Sequence, residues 1–248
     1  MSQPIYLQAT PGVDRGHLNA VEDALDLIDS NFENSDLDYR DTSGWTPTEE
    51  DYERVDAEPG EFSSPGWYER ESMVTNPRHG GRQVDAGRLS GLLSNEPWRE
   101  TYGDHVDVFV TDKDLTGRGA DGEFLNYVLG GADAEENPDS IILSTYRLEN
   151  SPATSDVTTT TSRSFPEEVM HTLALHEFGH LFGAPDEERG TGLDYGFEGQ
   201  AHCANDDMMQ PGYSTGTLAE LTADRIRGDA SIYCGECAED IYEGLEDF

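Results

Sequence analysis

His176 and His180 stand four residues apart in a stretch that starts and stops like a helix, and this pairing constrains the fold more than any other feature of the chain. Ser164, Phe165, Pro166 and Glu167 make a capping-box signature with proline in the first turn. Val169, Leu173, His176 and His180 follow at helical spacing, and Gly183 with Pro185 closes the segment. On such a helix the two imidazoles project from one face, one turn apart. Two imidazoles so placed can share one zinc ion. Glu177, beside them, is positioned to take a proton from water that the metal makes nucleophilic near neutral pH. A buried, structurally bonded histidine pair is the plainer alternative. The capped helix ending three residues after His180 weighs against it.

Elsewhere the periodicity is readable in parts. Ile5, Leu7 and Ala9 alternate with Tyr6 and Gln8 as in a short strand, and Leu18, Val21, Leu25, Ile28 and Phe32 share one face of a helix. Val106, Val108 and Val110 alternate with Asp107 and Phe109 in a second strand. The run Ile141 to Tyr146 is more continuously apolar, as an inner strand would be. Residues 34–84, rich in acids, glycine, proline and serine, show no clear period. Their aromatics, Trp45, Tyr52, Phe62, Trp67 and Tyr68, indicate irregular structure packed on the domain. The Thr/Ser run from Ser151 to Ser164 reads as a loop. Thr217 to Glu220 reads as a capping box opening a helix that leads to Cys234. There are no internal repeats.

Composition narrows the partners. Fifty-two acidic residues stand against fifteen basic ones, a formal charge of -37, and Lys113 is the sole lysine. Repulsion makes nucleic acids and anionic membranes poor partners for such a chain. The acids are spread through every segment rather than gathered in tails. An acidic surface almost without lysine is similar to that of halophile proteins, whose self-repulsion is screened by salt. The start, Met1 to Ile5, has no basic and apolar signal segment, and no apolar run approaches the roughly 20 residues of a membrane helix. A cytoplasmic protein is therefore expected. The three cysteines, two of them paired as Cys234 and Cys237, suit a metal site better than a disulfide framework.

The segment His176 to Gly183 resembles the start of the extended metzincin signature, and the chain from about Asp104 to Asp240 resembles more particularly the archaemetzincins. The quoted residues are His202 with Cys203, then Met208 and Met209, then Cys234 and Cys237. The resemblance implies an α/β (α+β) zincin-type catalytic domain over residues 1–248, with a twisted mixed sheet, an active-site helix and a Met-turn at Met209, Met208 being the adjacent candidate. Residues 202–240 would form a zinc-binding C-terminal part. Two zinc ions are implied. The catalytic one would be held by His176, His180 and a third ligand. His202 is preferred because it keeps its cysteine neighbour, and Asp186, which occupies the family's usual third position, is the alternative. The second, structural zinc would be held by Cys203, Cys234, Cys237 and Asp207 (or Asp206), an acid standing where the family has a fourth cysteine. Tyr213 is a candidate oxyanion stabiliser, although its spacing departs from that of families using such a tyrosine.

The expected activity is metallopeptidase hydrolysis of a peptide or protein, with Glu177 as general base. A non-catalytic zinc-binding interaction module on the same fold is the rival. A zinc hydrolase acting on small amides is a third class without a feature of its own.

Overall fold

The structure is a computed structural model describing residues 3–78, 80–99, 103–119, 122–133, 137–149, 162–195, 201–211 and 214–248. In chain order the elements are β1 (Ile5–Ala9), α1 (Arg15–Asn31), β2 (Tyr39–Asp41), α2 (Glu49–Val55), α3 (Pro65–Ser72), β3 (Met73–Thr75), β4 (Arg82–Asp85), α4 (Ala86–Ser94), β5 (Val106–Thr111) and β6 (Leu115–Thr116). There follow β7 (Gly130–Asp133), β8 (Asn137–Ser144), α5 (Phe165–Leu181), β9 (Leu193–Asp194), β10 (His202–Cys203), α6 (Thr215–Arg227) and α7 (Gly235–Asp247). The architecture is mixed α/β. The chain divides into two compact units, residues 1–13 with 37–144 and residues 14–36 with 145–248. Most of the Ser151–Ser164 run and Tyr213 lie outside the described residues.

The first unit is built on a five-stranded sheet of order β2-β1-β5-β8-β7, parallel throughout except for β7. β8 is an inner strand, in keeping with its apolar run. In β5 the sequence alternation does not separate a wet face from a dry one, because all six residues are buried. Asp107 is tolerated there because Arg99 (2.7 Å) and Gln8 (2.8 Å) donate to its carboxylate. A three-stranded sheet, β3-β4-β6, joins the same unit, and Tyr68, Val84, Leu89, Leu93, Phe109, Leu115 and Ile142 form one core cluster.

Residues 34–84 correct the expectation of irregular structure, since they hold β2, α2, α3, β3 and β4. These elements run three to eight residues, too short to display a period, but their caps are conventional. Thr48 and Asp51 form a capping box at α2, and Ser64 caps α3 ahead of Pro65.

In the second unit α1 packs along α5. Leu18, Val21, Leu25 and Ile28 are buried on α1, as their spacing implies. α5 is buried on every side from Glu168 to Gly179, which makes it an interior helix rather than an amphipathic surface one. Glu167 accepts from the backbone N–H of Ser164 at its start. Its end is a Schellman motif: Ala184 N–H donates to Gly179 O (2.8 Å), Gly183 N–H donates to His180 O (3.0 Å), and Gly183 takes the left-handed φ of 87°. α6 begins with Ser214 as its cap, whose hydroxyl accepts from Thr217 N–H, so Thr217 lies inside the first turn rather than before it.

The Glu168 carboxylate is buried in α5 between two cations, with Arg225 Nη2 at 2.5 Å and Arg163 Nη1 at 3.3 Å. Arg163 also pairs with Asp23 on α1 (2.7 Å), and Arg225 donates to Thr172 (3.2 Å). Removing the central acid leaves both guanidiniums poorly solvated. Glu168→Ala is accordingly expected to lower stability by about 3–5 kcal/mol. Denaturant unfolding in high salt checks this, and a loss below about 1 kcal/mol would show that the cations are hydrated as they stand.

No helix among the described residues is long and apolar enough to cross a membrane.

Candidate metal centre

His176 and His180 lie one turn apart on α5, and their Nε2 atoms face each other at 3.2 Å. The Nδ1 atom of His176 is 2.7 Å from the Met208 carbonyl. A carbonyl only accepts, so Nδ1 carries the proton and Nε2 presents a lone pair. His180 is likewise anchored by a backbone hydrogen bond to Ala184. His202, on β10, completes the group: its ring lies 5.4 Å from that of His176 and 5.2 Å from that of His180. One ligand atom from each of the three lies within 4.8 Å of the others, so the group could hold a metal ion. Glu177 is buried on the same turn of α5.

Asp186 is placed elsewhere. Its carboxylate accepts from Glu188 N–H (2.8 Å) and starts the short 3-10 turn Glu187–Arg189, while its own N–H donates to Asp240.

A second group brings together Cys203, Asp207, Cys234 and Cys237, again with ligand atoms within 4.8 Å. His202 and Cys203 are adjacent on a strand, where successive side chains point to opposite faces, and this lets one dipeptide serve two groups. The loop after them is folded back by Cys203 N–H donating to Met209 O (2.8 Å). The Asp207 carboxylate accepts from Met209 N–H and Cys234 N–H (both 2.9 Å), so it is fixed beside the thiols. Asp206 instead accepts from Gln210 (3.1 Å) and takes no part. Cys234 caps α7, and its sulfur accepts from Cys237 N–H (3.5 Å). Cys203 Sγ accepts from Asn205 N–H (3.4 Å) and lies 3.7 Å from Cys234 Sγ.

Met209 is fully buried, and its sulfur fills the space that a side chain at Gly179 would need. Glycine between the two histidines thus lets the loop approach the helix closely. Met208, also buried, contributes its carbonyl to His176. Tyr233 donates to Leu175 O (2.7 Å) and ties the segment before the cysteine pair to α5.

Burial holds the ring of His176 neutral, with His202 reinforcing it, and lowers its pKa to about 4. Burial and the other two histidines lower His180 as well. His171, on the same helix, is lowered to about 3 by burial and by Arg225 and Arg163. Burial also pushes the thiols of Cys203 and Cys237 up, so without metal they keep their protons. For His171 and His176 the unfolded chain binds a proton near pH 6.5 that the folded, metal-free chain refuses until about pH 3 or 4. The stability that these two groups contribute is therefore fully present above pH 6.5 and lost as pH falls. Each group contributes a slope approaching about 1.4 kcal/mol per pH unit. Unfolding midpoints of chelator-treated protein between pH 7 and about 5, above most carboxylate titration, check this. A flat profile would contradict it.

Sequence reasoning missed two features. Arg189 donates to Cys237 Sγ (3.5 Å), Cys203 Sγ (3.7 Å) and Asp240 (2.9 Å), placing a cation against the sulfur group. No local pattern marks it. The second is Glu96, His105 and Asp107 in the first unit, a third group close enough to hold a metal. His105 just before β5 and Asp107 within it, two residues apart, were the only available signal. This group already contains its positive charge. Arg99 pairs with Asp107, and although burial opposes it, hydrogen bonds from His105 to Asp107 and Glu96 push the histidine up to about 10. A metal ion there would have to displace that proton beside a guanidinium.

No protein-family model, curated protein or solved structure matches the chain.

Proposed function

We propose that this chain is a zinc-dependent peptidase of metzincin type, similar to the archaemetzincins. The observation that carries the reading is the convergence of His202 on the pair His176 and His180, with Glu177 on the same helix turn. Two nitrogens bound to one tetrahedral zinc at about 2.0–2.1 Å stand about 3.3 Å apart. The Nε2 atoms of His176 and His180 are 3.2 Å apart, and both rings are kept neutral. Two lone pairs facing each other at that distance call for a cation between them. The donor set, three imidazoles, suits zinc, and three protein ligands would leave such an ion one position for water or substrate.

Zinc held there supplies Lewis acidity toward a peptide carbonyl and makes water a nucleophile near neutral pH. The protein does the rest. Met208 fixes the tautomer and direction of His176 through its carbonyl, as ligand-orienting partners do. Glu177 accepts a proton from the attacking water and passes it to the leaving amine. Met209 forms an apolar floor against Gly179. The group of Cys203, Cys234, Cys237 and Asp207 would hold the second zinc in a structural role. Its protonated thiols would release protons on binding, and Arg189 would offset part of the negative charge. Both ions would pin the segment from His202 to Met209 from opposite sides.

The test is hydrolysis of a peptide library by the zinc-loaded full chain in high salt, with products read by mass spectrometry and zinc by elemental analysis. Cleavage that stops with chelator and resumes with zinc is the expected result. Zinc fully bound with no cleavage would overturn the peptidase reading and leave a metal-binding module.

A further inference from the structure

Arg189 ends the short turn that follows α5, and its guanidinium has five N–H donors to place. All five find acceptors. Nε donates to Thr191 O (3.2 Å), Nη2 to Gly192 O (3.2 Å) and Nη1 to Asp240 (2.9 Å). These three bonds fix the fork to its own loop and to α7. The remaining donation from each Nη goes to sulfur: Nη1 to Cys237 Sγ (3.5 Å) and Nη2 to Cys203 Sγ (3.7 Å). The side chain is 11% exposed, so it is built into the group rather than lying over it.

Sulfurs bound to a metal are thiolates, and a hydrogen bond between ionised partners is roughly twice as strong as a neutral one. The spacing of the group suits that state. Two thiolates on one tetrahedral zinc, each at about 2.3 Å, stand about 3.8 Å apart. Cys203 Sγ lies 3.7 Å from Cys234 Sγ. The three sulfurs differ in their other support. Cys203 Sγ also accepts from Asn205 N–H (3.4 Å), and Cys234 Sγ accepts from Cys237 N–H (3.5 Å). Among the described residues, Cys237 Sγ takes an N–H donation from Arg189 alone.

Charge points the same way. Three thiolates and Asp207 around a divalent ion would leave roughly two surplus negative charges in a buried group. Asp240 adds to them, and Glu236 is linked to the group through Asn205. Arg189 is the cation that meets this charge. A lysine could supply the charge but not the fork.

We infer that Arg189 is a positioning residue of the sulfur group: its fork holds Cys203 and Cys237 toward a shared zinc ion and stabilises them as bound thiolates. The inference rests on that group's holding zinc and not on peptide hydrolysis.

The test is cobalt(II) titration of the full chain in high salt, with zinc competition, for the unmodified protein, Arg189→Met and Arg189→Lys. Thiolate-to-cobalt charge-transfer absorption reports the sulfur group, because the histidine group has no sulfur ligand. Arg189→Met should bind zinc there about 10–100-fold more weakly, the usual loss for a residue that supports a ligand. Its saturated band should move to lower energy, since sulfur lone pairs freed of hydrogen bonds lie higher, and a purely structural role would not move it. Arg189→Lys should fall between the two in affinity, which keeps the comparison usable if circular dichroism shows the methionine variant misfolded. Undiminished zinc affinity or an unmoved band in folded Arg189→Met would overturn the role of Arg189. Full affinity with an unmoved band in Arg189→Lys would overturn the fork. A thiolate band absent from the unmodified chain would overturn the inference together with the second zinc, and it would leave the histidine group and the peptidase reading standing.

Discussion

Glu177→Gln is expected to keep its zinc and to lose peptide hydrolysis by about 10²–10⁴-fold, the range that a positioned general base contributes. Glutamine has the same shape and cannot take a proton. The three histidines that could hold the metal do not include Glu177, so zinc content should be unchanged. The loss should fall on kcat with KM little altered, because the proton moves in the transition state and not on binding. Elemental analysis and steady-state kinetics on the same preparation check both halves. Hydrolysis at the unmodified rate would remove Glu177 from the mechanism even if the metal reading stood.

His202→Ala is expected to weaken zinc at the histidine group by about 10³-fold, more than the roughly 10–100-fold typical of a partner one shell out. Asp186→Ala should leave that affinity unchanged. The reason is geometric. His202 stacks at 5.4 Å from His176, whereas the Asp186 carboxylate is engaged in starting the turn at Glu187. In the same titration Cys234→Ala should remove one of two zinc equivalents, because Cys234 belongs only to the sulfur group. If Asp186→Ala loosened the zinc and His202→Ala did not, the assignment of the third ligand would be reversed.

Much of the fold could be read locally. β1, α1, β5, β8 and α5 each carry a period or an apolar run long enough to show their type and place. β8 nevertheless begins at Asn137 and ends at Ser144, two residues short of the run that marked it, and α1 ends at Asn31, with Phe32 just beyond it. The segment from 34 to 84 was not legible. Its helices span seven and eight residues and its strands three and four, and its acidic, glycine-containing composition hides any repeat. Its aromatics were the useful sign, for Tyr68 joins the core cluster, with Phe62 and Trp67 packed against it. In β5 the alternation marks the strand correctly and says nothing of which face is wet. A parallel strand covered on both faces can bury an acid that is ion-paired, and Asp107 is such an acid.

The histidine pair and Glu177 follow from spacing alone, because a helix puts residues four apart on one face whatever surrounds it. The helix end follows too, since Gly183 supplies the left-handed conformation that a Schellman motif requires. The third histidine does not. His202 lies 22 residues beyond His180 in the chain and reaches it only because the loop folds back through Cys203 to Met209, with Met208 bonded to His176. Likewise, Asp207 rather than Asp206 stands with the cysteines because two backbone N–H groups, from Met209 and Cys234, hold its carboxylate there. Arg189 reaches the Cys237 sulfur by a contact of the same long-range kind, and Glu96 reaches His105 by a turn of the chain between α4 and β5. Spacing along one element is set by covalent geometry and is visible in the chain. Which of two acids or two ligands meets a partner on another element depends on loop closure and packing, and no local period records it.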